Sequence, residues 1–167
     1  MERSFLIGSI KAALPLLPLP KISLHQALLS DDSMARNITR QEWREAGRSD
    51  AGRTWNQFDE QELISCNDAL AHLDEASFAY YLPAFMLFAI KYCDVGCPHE
   101  ASELVGTTVF SVTHRSPYSL SRFEKLSPLQ RDAVIRFLDH MSERGDPYHS
   151  DLAVKSLRRY WRSDGLA

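Results

Sequence analysis

Apolar residues recur along this chain at helical spacing, and the longest apolar run lies near the middle. Phe78–Ala79–Tyr80–Tyr81–Leu82–Pro83–Ala84–Phe85–Met86–Leu87–Phe88–Ala89–Ile90 carries no charge, one proline and five aromatic rings. Between Glu75 and Asp94 the only formal charge is Lys91. A stretch without a polar face has to be buried, so it marks the centre of the fold. Pro83 has no N–H, its ring clashes with the carbonyl of Ala79, and Leu82 before it is pushed from helical angles. The sequence therefore predicts two helical pieces joined at Pro83, the second running to about Cys93 and ending near Gly96 and Pro98. The run is too short to cross a bilayer, which takes about 20 residues.

Around this centre the pattern predicts further helices. Residues 4–13 form a short one with Phe5, Leu6 and Ile10 on one side, and Pro15, Pro18 and Pro20 then force extended chain. Residues 22–30 add a turn or two. Asp32 or Ser33 caps a polar helix from about 34 to 46 with Met34, Ile38 and Trp43 inward, and 47–53 is an exposed loop. Asp59 with Glu62 three residues later is a capping box, opening a helix striped by Leu63, Ile64, Leu70 and Leu73. Trp55 and Phe58 stand just before it, placed to staple that helix. Asp74 or Glu75 opens the central segment. Thr107–Val112 is β-branched enough for a strand. With no second strand to pair, a buried loop is preferred, and Arg115–Tyr118 is a turn.

The C-terminal third is the most regular. Ser127–Pro128–Leu129–Gln130 combines a cap, a proline at the first helical position and a capping-box glutamine. Leu129, Ala133, Val134, Phe137, Leu138 and Met141 face inward, with Arg131, Asp132, Arg136, Asp139 and Glu143 opposite. Gly145 and Pro147 end that helix. Ser150 caps a last one with Leu152, Ala153, Leu157, Tyr160 and Trp161 inward.

Length and composition narrow the class. At 167 residues, residues 1–167 make one domain. A domain of that size buries roughly 70% of its unfolded surface and needs no disulfide or metal to stand. A net charge of −3 exerts no global pull toward nucleic acid or anionic lipid. Cys66, Cys93 and Cys97 are an odd set, and free thiols fit a reducing compartment, so the expected location is the cytoplasm. Residues 1–20 fail as a signal peptide because Glu2 offsets Arg3, Lys11 interrupts the apolar run and three prolines crowd its end.

Three blocks together resemble a known kind of family. They are Trp55 before a capped helix, Phe78 with the run Tyr80–Met86, and the Leu126–Gln130 helix start followed by Leu157 and Tyr160–Trp161. The set resembles a small bacterial family of helical domains of unknown function. The resemblance covers residues 55–161, leaving 1–54 as a variable N-terminal part of helices and loops. It implies a bacterial, single-domain, mostly α protein, and carries over no catalytic residue.

Four constellations bear on chemistry. Cys93, Cys97 and His99 supply three zinc-type ligands within seven residues, with Cys66, His72 or His114 as a fourth. The knuckle spacing is absent, and the alternative is two thiols at a helix end with a surface histidine. A nucleophilic cysteine needs a helix N-terminus or a cation beside it. Cys93 falls near a helix C-terminus, and Cys66 inside a helix. Elbow, Walker and zincin motifs are absent. Basic clusters occur at Arg36, Arg40, Arg44, Arg48 and Arg53, interleaved with Glu42, Glu45 and Asp50, and at Lys155, Arg158, Arg159 and Arg162. Both are better explained as solvated faces than as a nucleic-acid surface. Finally, Asp59, Glu60, Glu62, Asp68, Asp74 and Glu75 make the middle of the chain acidic, a feature suited to a basic protein partner, though helix capping accounts for much of it.

The resulting expectation is an all-α bundle of six to seven helices around a proline-broken apolar helix, with the 128–143 and 151–161 helices antiparallel across it. Its expected role is a non-enzymatic protein-binding module without cofactor, nucleic acid or membrane. In its sharpest form that is a bacterial immunity or antitoxin protein occluding a toxin effector. The expected contact residues are Trp55, Phe58, Asp59, Glu60, Glu62 and Tyr118. The alternatives are a small enzyme or metal-binding protein using Cys93, Cys97 and His99, and a structural or oligomeric subunit.

Overall fold

A computed structural model describes residues 2–14, 16, 18–32, 36–93 and 97–163. These residues form α1 (Arg3–Ala13), α2 (Leu24–Asp32), α3 (Arg40–Ser49), a 3-10 turn (Trp55–Gln57), α4 (Glu60–Ser65), α5 (Ala69–His72), α6 (Glu75–Tyr92), α7 (His99–Thr113), α8 (Pro117–Glu124), α9 (Pro128–Arg144) and α10 (Pro147–Ser156). A π-helical turn, Leu157–Trp161, continues α10. No strand occurs among the described residues.

The all-α class holds, but the described residues form ten helices rather than six or seven. The added elements are α7 and α8, where a loop and a turn were expected, and α5, which is split from the helix opening at Asp59. α4 opens on Asp59, whose carboxylate accepts from the Glu62 amide at 2.9 Å while the Glu62 side chain accepts from the Asp59 amide at 2.9 Å. Ser116 caps α8, taking the Ser119 amide at 3.0 Å with Pro117 at the first helical position. Arg115–Tyr118 is therefore a helix start and not merely a turn.

α6 is the central element, and Pro83 lies inside it without breaking it. A proline in a helix interior costs about 3 kcal/mol. Full burial of a large apolar side chain returns about 1.5–3 kcal/mol. Phe78, Leu82, Phe85 and Met86 are each 0% exposed, so packing around the proline outweighs its local penalty. Asp74 caps the helix, its carboxylate accepting from the Ser77 amide at 2.8 Å.

Other boundaries moved for identifiable reasons. The polar helix α3 starts at Arg40, capped by Thr39 in a capping box with Glu42, not at residue 34; Ser33 and Met34 lie outside the described residues, as does Gly96. It runs to Ser49, so Gly47 to Ser49 are helical. Residues 107–112 belong to α7 and are neither strand nor loop. Leu104, Val105, Thr108, Val109 and Val112 are buried at helical spacing. The Thr108 hydroxyl donates to the Leu104 carbonyl at 2.7 Å, satisfying that buried group inside the helix. Pro147 stands at the first position of α10 behind Asp146, so Asp146 and not Ser150 is the cap. Two residues expected inward are outward: Leu129 is 69% exposed and Phe5 58%.

α6 is covered by α1, α7, α8, α9 and the Trp55 turn. α9 crosses it as expected, while α10 packs on α9 and α7 instead. Trp161 anchors that end, its indole N–H donating to the Val112 carbonyl at 2.9 Å. α2 is tied to the end of α3 by His25 and Asp50. The His25 amide donates to Asp50 at 2.9 Å, and His25 Nδ1 lies 2.7 Å from the other carboxylate oxygen.

Two predictions follow from these contacts. Phe85→Ala should lower unfolding free energy by about 3–5 kcal/mol in urea titration, a large part of the roughly 5–15 kcal/mol of a natural domain. A loss under about 1 kcal/mol would contradict the burial. The second concerns pH. The hydrogen bond that His25 donates to the Asp50 carboxylate raises the His25 pKa above 6.5, so the charged pair stabilises fully below that and less as pH rises through the folded value. Burial pushes the Asp50 carboxyl up, but the hydrogen bonds from His25 and Ser23 outweigh it and hold it below 3.8. Its contribution is present above that value and is lost as pH falls. The stability difference between the parent and His25→Gln should thus be largest between those limits and shrink toward alkaline pH.

Candidate functional site

A cleft of about 480 Å³ opens where α1, the Trp55 turn, α4 and α6 meet. Ile7, Trp55, Phe58, Leu63, Leu87 and Phe88 line it, and Arg3, Lys11, Lys91 and Glu60 contribute charge. Three of the six residues expected to contact a partner, Trp55, Phe58 and Glu60, are therefore brought together here.

Trp55 and Phe58 are first of all core residues, 3% and 8% exposed. The Trp55 amide donates to the Tyr80 hydroxyl at 3.3 Å, which donates to the Leu16 carbonyl at 2.8 Å. Phe58 meets the edge of Tyr81, with centroids 5.8 Å apart. The core-packing account of this pair is thus correct as far as their bodies go, and only an edge of each reaches the cleft. Trp55 Nε1 is buried there with no acceptor among the described residues.

The acidic residues are already engaged. Arg53 forks onto Glu62 at 2.7 and 2.8 Å and lies 4.2 Å from the centre of the Phe58 ring. That fork, with the Asp59 amide, pulls the Glu62 carboxyl down to about 2. Asp59 is a cap. Glu60 is held by Lys91 and by the Tyr92 hydroxyl, which donates at 2.6 Å. Arg3 and Lys11, by contrast, have no carboxylate partner among the described residues. The field over the cleft is therefore cationic, although the chain is acidic overall.

Tyr118 lies elsewhere, on α8. It is 48% exposed, its hydroxyl donates to the Leu73 carbonyl at 2.5 Å, and its ring lies against Arg122. Arg122 and His140 were not singled out in the sequence. Both are buried. Helical spacing alone would have found them, because Arg122 shares a face with Ser119 and Phe123, and His140 with Ala133 and Phe137.

Cys93, Cys97 and His99 do not form a cluster with the geometry of a metal site. Cys93 is buried, with its sulfur 3.6 Å from His140 Nε2. The His99 side chain is 87% exposed and lies 3.4 Å from Glu103. Among the described residues no group of three or more His, Cys, Asp or Glu is placed to hold a metal ion. Burial pushes the Cys66 thiol up to about 12, so it is protonated at neutral pH. The basic residues are partly paired: Arg36 with Glu42 at 2.6 Å, Lys155 with Asp151 at 2.6 Å and Arg162 with Asp139 at 2.6 Å. No helix among the described residues is long and apolar enough to cross a membrane.

These features define an all-α domain with an apolar, cation-bearing cleft beside its central helix. The chain belongs to the family of unknown function DUF6714, matching it over residues 2–165. The match therefore extends over the N-terminal helices as well as the 55–161 segment. No curated protein and no solved structure matches the chain.

Burial orders the thiols in a way that can be titrated. Cys66 and Cys93 are buried and Cys97 is partly exposed. A thiol reagent such as Ellman's should label one cysteine quickly in the native protein, and all three in denaturant. Rapid labelling of Cys66→Ser,Cys97→Ser protein would show that Cys93 is accessible and contradict this order.

Proposed function

We propose that this protein is a non-enzymatic protein-binding module that takes a partner segment into the cleft between α1, the Trp55 turn and α6. The observation that carries the reading is the cleft itself: an apolar floor of core residues, with Arg3 and Lys11 left without counter-ions among the described residues. Amphipathic helices dock into grooves of this kind by laying their apolar face inward. The unpaired cations select a segment whose polar side is acidic. This revises the expected partner chemistry, because Glu60 and Glu62 are engaged in local ion pairs. The one carboxylate in the walls, Glu60, is held by Lys91 and the Tyr92 hydroxyl, which favours binding over general-base chemistry.

In its most specific form the reading is a bacterial cytoplasmic immunity or antitoxin protein that occludes a toxin effector. The support for that form is the lack of a catalytic motif and a surface suited to a protein segment.

Co-expression with the products of neighbouring genes, followed by calorimetry on the purified pair, tests both levels. One product should bind with micromolar affinity or better. Leu87→Glu and Lys11→Glu should each weaken binding at least about tenfold, equivalent to about 1.4 kcal/mol, with helical circular dichroism unchanged. Lys155→Glu on α10 should have no effect. Binding by none of these products would remove the module reading, and binding indifferent to Leu87 and Lys11 would remove the cleft.

A further inference from the structure

A second cavity, separate from the apolar cleft, contains a buried cation that makes no ion-pair contact among the described residues. Arg122 on α8 is 3% exposed. Its Nη1 donates to the Leu70 carbonyl at 2.5 Å, and its guanidinium lies 4.3 Å from the Phe78 ring centre and 4.4 Å from that of Tyr118. Its Nε is buried with no acceptor, and the Glu75 carboxylate acts on the guanidinium through space without forming an ion pair with it. Burial draws its pKa down, as expected for a charge removed from water. Buried arginines are ordinarily matched by a carboxylate or phosphate, whose planar or tetrahedral oxygens fit the guanidinium fork. Two aromatic faces and one carbonyl replace only part of such a partner.

Arg122 lines a cavity of about 260 Å³ between α5, α7 and α8. Two further features of that cavity suit an anion with an apolar body. Ser116 and Ser119 place the start of α8, the positive end of its dipole, in the wall. Phe110, 52% exposed, also lines the cavity and stacks on His114 with centroids 4.6 Å apart and planes at 17°, giving a flat wall. The ligand's charge is limited as well. Asp68 lies in the lining, and the carboxylates of Asp74 and Glu75 act on Tyr118, so a dianion is repelled about twice as strongly as a single carboxylate. The volume is below the usual range of roughly 300–1,000 Å³ for drug-sized ligands, which restricts the site to a small molecule.

We propose that the α5–α7–α8 cavity binds a small organic monocarboxylate, its carboxylate on Arg122 and its apolar body between the Phe110 and Tyr118 rings. The ligand supplies the acceptor that Arg122 Nε lacks. Tyr118, which sequence reasoning grouped with the Trp55 surface, belongs to this second site.

Benzoate is a suitable probe, with inorganic phosphate at equal ionic strength as the comparison. Thermal melting and amide NMR titration of the full chain should show a saturable benzoate response, with shifts at Phe110, Tyr118 and Ser119, and no matching response to phosphate. Arg122→Met should weaken the response at least tenfold. Thr107→Trp, which fills the cavity and leaves Arg122 intact, should do the same, and it decides the matter if Arg122→Met does not fold. A benzoate response that is absent, equalled by phosphate, or retained in Thr107→Trp would overturn the proposal.

Discussion

α6 is a helix with no polar face, and a helix of that kind has to be covered on every side. Twelve of its residues, from Ser77 to Ile90, are buried. The other elements form its cover. α7, α8 and α9 close much of the surface, α1 adds to it, and the Trp55 turn fills the gap beside α4. The same constraint explains how Pro83 is tolerated in mid-helix. The lost hydrogen bond is a local deficit of about 3 kcal/mol, whereas the packed side chains on either side each return an amount of similar size.

Covering one apolar helix with many short ones has consequences for the surface. Each short helix needs its own start, and the polar residues that provide these starts are withdrawn from other roles. Asp59 and Glu62 cap α4, Asp74 caps α6, and Asp146 caps α10. Arg53 and Lys91 then hold Glu62 and Glu60. The apparent acidic patch of the sequence is thereby divided among caps and ion pairs. Among the described residues, Arg3 and Lys11 beside the apolar cleft and Arg122 within its own cavity have no ion-pair partner. Charge that the fold does not compensate is a better guide to a ligand than net charge, because it reflects the positions of the groups and not only their number.

The candidate residues illustrate what position adds. Trp55, Phe58 and Glu60 share one cleft, as their nearness in the sequence suggests. Tyr118 is sixty residues further on and lies against Arg122. Cys93 has His140 beside it, and His99 points into solvent. Close spacing in the sequence was thus informative within a turn and its following helix, and misleading across the end of α6.

Local chemistry was legible because it is local. The capping boxes at Asp59 and Ser127, the cap at Asp74, and the buried stripe of α9 depend on residues three or four apart. The apolar run at the centre also declared itself, since no arrangement leaves thirteen such residues in water. Other outcomes were decided only by tertiary packing. Continuity of α6 through Pro83 depends on neighbours from seven other elements. The helical state of Thr107–Val112 follows from burial against α6 and α10, which overrides a β-branched preference worth a fraction of a kcal/mol per residue. Both candidate sites likewise arise where separate helices converge. Their apolar walls and unmatched cations come from residues distant in the chain, and only the folded arrangement determines which charges find partners.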